Sequence, residues 1–291
     1  MTVYTNTARF DGTARALTED ELFQLAPSVF ATTAHQSRSE KFMPIPTIEV
    51  VRGLAKEGFS VVGASQSLTR LPDRKLFTKH LLRIRQLDET VTFKTGDTVP
   101  EMMLKNANDG TGAYDLMSAL FRINCLNSMV AWLNTLSSFK VRHSGKDVAA
   151  KVIEGTFSVI DQSRKALAAP EAWSSIQLNG EEQMIYANAA HQIRFGEQIE
   201  GEAPVSAIAP EQLLQPRRWE DRSNDLWTTF NRVQENAIKG GLQGRRTNDN
   251  GVIRRSTTRQ IKGVDSNVNL NKALFTLTNA MAELRGVKIA A

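Results

Sequence analysis

One cysteine, Cys125, stands among 291 residues. A disulfide within the chain is therefore excluded, and a cysteine-based zinc site is not expected. Long apolar runs are missing: no stretch approaches the roughly 18 residues that a transmembrane helix needs. Aromatic residues are few, at 7%, and the charged fraction is an ordinary 23%. Yet 41% of the residues are apolar, enough to build a core without staples. This balance excludes a disordered, collagen-like or coiled-coil chain. The first fifteen residues are polar and mixed, without the apolar segment of a secretory signal. A cytoplasmic protein with no membrane association is expected.

Catalytic signatures are also scarce. His35, His80, His143 and His191 are scattered, with no HExxH pattern. There is no GxxxxGK[ST] loop, no GxGxxG and no GxSxG. No catalytic residue, metal ligand or cofactor is assigned from sequence. Residues far apart in sequence can still converge, so an enzyme stays as the third reading below.

What is present is local basicity. The net charge is +5. Segment 239–262 carries Lys239, Arg245, Arg246, Arg254, Arg255, Arg259 and Lys262 against one acid, Asp249, a local net charge of +6. The rest of the chain, at −1, is close to neutral. Such a concentration points to a binding element rather than to a general surface property. Glycines 240, 241, 244 and 251 in the same segment allow backbone to approach a phosphate.

Periodicity predicts the framework. Thr18 with Glu21 is a capping box that opens a helix. Residues 33–42 read as an exposed polar loop, and Pro44 and Pro46 interrupt regular structure. Thr47 is expected to cap a helix through Lys56 that Gly58 ends. Strands are predicted over 59–69, 76–86, 91–95 and 99–104, an antiparallel meander. Turn chemistry at 106–112, with Asp109 or Thr111 as a helix cap, leads into an expected long helix over 113–137. That helix would hold Arg122, Asn124, Cys125 and Asn127 among apolar residues. Further helices are read over 146–168, 180–194, 223–239 and 266–284. Trp227 with Phe230 reads as core, and Trp219 as the more exposed tryptophan.

The fold class is thus α+β: an antiparallel β-meander packed by long helices, with a C-terminal helical hairpin carrying a basic loop. The expected domains are a core over 1–200, a linker over 201–222 rich in proline, and the hairpin over 223–291. On the second strand, Lys79, Leu81, Arg83 and Arg85 share one face, and His80, Leu82 and Ile84 the other. The apolar face is expected against the long helix and the basic face outward.

Several strings carry a family resemblance. They are Gly58-Phe59 leading into Val62-Gly63-Ala64-Ser65-Gln66, and His80-Leu81-Leu82-Arg83-Ile84-Arg85. Others are Asn106-Ala107-Asn108-Asp109-Gly110-Thr111-Gly112 with Phe121-Arg122-Ile123-Asn124-Cys125, and Ile238-Lys239-Gly240-Gly241-Leu242 with Asn269-Leu270-Asn271-Lys272-Ala273. On these strings the chain resembles the phage- and plasmid-encoded proteins of domain-of-unknown-function family 932 over about residues 20–280. Ser128 and Phe275 depart from the family pattern, which has Gly and Trp there. The resemblance implies a mobile-element setting and brings no established reaction and no catalytic residues. The expected order of elements is also that of single-strand annealing proteins, an analogy without a shared motif.

Together these readings predict a non-enzymatic nucleic-acid-binding protein of a phage or plasmid, with single-stranded DNA as the preferred ligand. Capture is assigned to Lys239, Arg245, Arg246, Arg254, Arg255, Arg259 and Lys262, with Lys79, Arg83 and Arg85 extending the track. Assembly of several copies along DNA would suit that role. The alternative is an anti-defence or regulatory protein whose basic loop binds a host protein. The third is a metal-dependent enzyme acting on nucleic acid.

Overall fold

The computed structural model of the protein describes residues 15–37, 44–87, 97–123, 128–130, 139–141, 148–197, 204–247 and 252–288. They fall into two units, Met1–Leu167 with Lys262–Val264 and Ala291, and Ala168–Ile261 with Asp265–Ala290. The chain passes from the first unit to the second after residue 167, and residues 204–222 of the stretch read as a linker belong inside the second unit. Ile208 and Leu213 are buried there, and the Nε2 atom of His191 lies 3.0 Å from the Ile208 carbonyl oxygen.

In the first unit, α1 (Glu19–Leu25) begins as its sequence dictates. Thr18 accepts from the Glu21 N–H, and the Glu21 carboxylate accepts from the Thr18 N–H. Helix α2 (Thr47–Lys56) starts one residue earlier than expected, with Pro46 at the cap position. Thr47 is fully buried and turned to another task. Asn106 Nδ2 donates to Thr47 Oγ1 at 2.9 Å, and Thr47 Oγ1 lies 2.9 Å from His80 Nε2. Thr47 Oγ1 thus links Asn106 to His80, whose Nδ1 lies 2.8 Å from Ser28 Oγ. His35, placed by sequence in an exposed loop, is 5% exposed and packs edge-on against Phe77.

The sheet follows: β1 (Phe59–Gln66), β2 (His80–Gln86), β3 (Thr98–Asn106), β4 (Tyr114–Arg122), β5 (Ser128–Val130) and β6 (Phe139–Val141). Strands β1 to β5 are neighbours in that order, all pairs antiparallel, and β6 also pairs with β4. Three of the predicted strands form, at β1, β2 and β3, antiparallel in chain order, and the expected strand at 91–95 lies outside the described residues. Helix α3 (Val148–Lys165) packs on one face and sends Val152, Val159 and Ile160 into the core with Leu82, Leu104 and Leu116.

The long helix over 113–137 is not formed where the chain is described. Residues 114–122 are instead strand β4, which lies inside the sheet between β3 and the short strands β5 and β6. Eight of its nine positions are buried, so apolar residues occur on both faces and the period-two signal vanishes. A strand buried on both sides reads like a buried helix. Arg122 therefore ends a strand, and Asn124, Cys125 and Asn127 lie outside the described residues. Asp109 caps no helix: its carboxylate accepts from the Thr111 N–H at 3.0 Å in a tight turn.

The second unit is mainly helical: α4 (Ala168–Ser174), α5 (Gly180–Phe195), α6 (Leu226–Lys239) and α7 (Val264–Leu284). Asp225 caps α6 by accepting from the Thr228 N–H at 2.7 Å. Every residue of α6 from Leu226 to Ile238 is buried, so this helix is the axis of the unit. Trp173, from a helix that sequence reading missed, meets Trp227, Phe230 and Phe275 at 5.0–6.1 Å between ring centres. One polar contact joins α6 to α7: Gln234 Nε2 donates to Asn271 Oδ1 at 2.6 Å. The fold is α+β, and among the described residues no helix is long and apolar enough to cross a membrane.

Candidate nucleic-acid interface

The basic segment is not an irregular loop. It forms an antiparallel ribbon of β7 (Gln243–Thr247) and β8 (Ile253–Thr257) between α6 and α7. Gly240, at φ +62°, ends α6, and a Cβ there would meet the Thr258 carbonyl oxygen at 2.6 Å. Only glycine fits that turn. The Gly241 N–H donates to Thr258 O at 2.8 Å and the Thr258 N–H to Leu242 O at 2.9 Å, which closes the ribbon base. Leu242 and Ile261 are buried and anchor it. The 205–209 segment lies along β7: the Arg245 N–H donates to Ala207 O at 3.0 Å.

The register sets Arg245 opposite Arg255 and Arg246 opposite Arg254. Like charges directly across an antiparallel pair repel. All four side chains are exposed, as is Arg259, and none has a side-chain hydrogen bond or ion pair among the described residues. An arrangement that repels itself and leaves its donors free is suited to an anion supplied from outside.

The other predicted contacts are disposed differently. Lys239 is held by Glu235, Nζ to Oε1 at 2.6 Å, and Arg218 binds the same carboxylate. Lys262 is exposed at the start of α7. Lys79 is half-buried just ahead of β2. Arg83 and Arg85 do not form the expected outward basic face. Arg85 is 2% exposed and Arg83 12%, and Glu101, fully buried on β3, lies between them. Arg83 donates from Nε and Nη2 to the two Glu101 oxygens at 2.8 Å, and Arg85 donates from Nε at 3.0 Å and from Nη2. The Arg83 guanidinium also lies 3.6 Å above the Phe121 ring. Burial pushes the Glu101 carboxyl upward, but the two guanidinium groups more than offset it and hold it below the usual carboxylate range. The signal that sequence reading lacked is register, which brings Glu101 beside residues 16 and 18 positions away.

Trp219 is 73% exposed with the Arg222 guanidinium 4.1 Å from its ring centre, and Trp227 is core. Both match the sequence reading. Among the described residues, no group of three or more His, Cys, Asp or Glu side chains is placed to hold a metal. A ribbon was legible in principle: Asn248-Asp249-Asn250-Gly251 is turn chemistry, flanked by Thr247 and by Val252-Ile253.

Comparison with known proteins gives three findings. The family model described as "Domain of unknown function (DUF932)" matches residues 34–275. The UPF0380 protein YafZ of Escherichia coli strain K12 is 41% identical over 267 residues, covering 92% of each chain. The UPF0380 protein YfjQ of the same strain is 40% identical over 267 residues, again 92% of each. No solved structure matches.

Proposed function

The chain belongs to the DUF932 family, and for this member we propose a non-enzymatic nucleic-acid-binding function centred on the β7–β8 ribbon. The observation that carries it is the pair of cross-strand arginine pairs, Arg245/Arg255 and Arg246/Arg254, exposed and without an acid partner among the described residues. Phosphates along a nucleic-acid backbone neutralise such an array, and the released counterions drive binding. Arg259 extends the contact at the ribbon base. The ion-paired Lys239, Arg83 and Arg85 are left out of the interface. The phage or plasmid setting that the family resemblance implies suits a role in recombination, replication or DNA protection.

The test is fluorescence anisotropy of labelled oligonucleotides across a salt series, with Arg245, Arg246, Arg254 and Arg255 all changed to Ala in the comparison protein. Binding with a steep negative salt slope that flattens in the variant supports the reading. No binding at low salt refutes it. Stable co-purification of an acidic host protein, lost in the same variant, would instead favour the interaction-protein reading.

A further inference from the structure

Building on the nucleic-acid reading, we propose that the ribbon lies in the major groove of duplex DNA and reads base edges with one of its two faces. The dimensions suit this groove. Paired strands run about 4.8 Å apart. A two-stranded ribbon with its side chains fits a groove about 12 Å wide, whereas the minor groove is about 6 Å wide.

The two faces differ in chemistry. Alternation and register put Gly244, Arg246, Arg254 and Ser256 on one face. Gln243, Arg245, Ile253, Arg255 and Thr257 lie on the other. A Cβ on Gly244 would stand 1.8 Å from the Ala207 carbonyl oxygen, which also accepts from the Arg245 N–H, so the 205–209 segment borders the β7 edge at the ribbon base on its Gly244 side. The opposite face is turned away from it and carries the side-chain types that discriminate bases. Arginine matches guanine O6 and N7, glutamine matches adenine N6 and N7, and an apolar group meets the thymine methyl. Ile253 is 64% exposed, which places an apolar group at the far end of that face. Arg246 and Arg254, on the other face, are exposed and would contribute charge that attracts the phosphate backbone rather than base contacts.

This departs from the single-strand expectation for two reasons. Single-strand binders stack bases on aromatic side chains, and Gln243–Thr247 and Ile253–Thr257 contain no aromatic residue. The strand face that was to extend a single-strand track, with Arg83 and Arg85, is buried on Glu101.

Three measurements on the full chain test the proposal. The first compares anisotropy on matched duplex and single strands. The second selects bound duplexes from a random pool. The third probes the bound duplex with dimethyl sulfate, which modifies guanine N7 in the major groove and adenine N3 in the minor groove. Two double variants, Arg245→Ala with Arg255→Ala and Arg246→Ala with Arg254→Ala, remove the same number of cations from opposite faces.

The expected result is tighter binding to duplex than to the matched single strand, with guanine N7 protected. The first variant loses that protection and a sequence preference of roughly 5- to 150-fold per arginine. The second loses affinity evenly across sequences and keeps the protection. Protection at adenine N3 alone, equal binding to single strands, or protection that survives the first variant overturns the groove assignment and leaves nucleic-acid binding standing. No binding to either form at low salt overturns the nucleic-acid reading itself.

Discussion

Changing Glu101 to Gln perturbs the first unit at its most charged buried point. The substitution keeps the shape of the side chain and removes its charge. Glu101 is fully buried and receives hydrogen bonds from both Arg83 and Arg85. Without the carboxylate, two largely buried guanidinium groups face each other across a neutral amide. Breaking a buried pair in this way costs about 3–5 kcal/mol. That is a large share of the roughly 5–15 kcal/mol that holds a domain folded. For a unit of this size it corresponds to a fall in Tm of roughly 6–20 °C. The pH dependence has a definite sign. A carboxyl held below its unfolded value contributes stability that is present above that value and lost as pH falls through the folded one. Thermal melts of wild type and Glu101→Gln from pH 7 down to pH 3 read both effects. The gap between the two proteins is expected to close as the pH falls. Replacing all three residues together with Met or Leu is expected to restore most of the loss, because no buried charge is then left. A Glu101→Gln variant within about 1 kcal/mol of wild type at pH 7 would refute this account of the buried charges.

Four further outcomes follow. Thr47→Val removes the hydroxyl that joins His80 to Asn106 and should cost about 1–3 kcal/mol in urea denaturation; a loss under ~0.5 kcal/mol would argue against that network. Gly244→Ala should push β7 off Ala207 and lower hydrogen-exchange protection at the Arg245 amide, with protection elsewhere unchanged. In the salt series on duplex DNA, Arg259→Ala should make the slope shallower by about 0.9, the value for one phosphate contact. Lys239→Ala, held by Glu235, should leave the slope as it is.

Local chemistry was legible where a few neighbouring residues decide the outcome. The capping box at Thr18 and Glu21, the antiparallel strands β1 to β3, and the helices near 148–165, 180–195 and 226–239 were readable from spacing and caps. So was the concentration of cations over 239–262, since charge is a property of composition. The exposed Trp219 and the core Trp227 were likewise separable by helical spacing.

Tertiary structure decided the rest. β4 lost its alternation because it is buried on both faces, a fact about its neighbours and not about its own residues. Arg83 and Arg85 changed from a presumed contact surface to a buried pair because strand register sets Glu101 beside them. Thr47 gave up the cap position because His80 and Asn106 lie within hydrogen-bond reach of it. Sequence determined how many arginines the basic segment carries; the pairing of β7 with β8 decided which are exposed together and which face each takes. Helix caps act over a single turn, whereas burial and pairing depend on residues tens of positions apart.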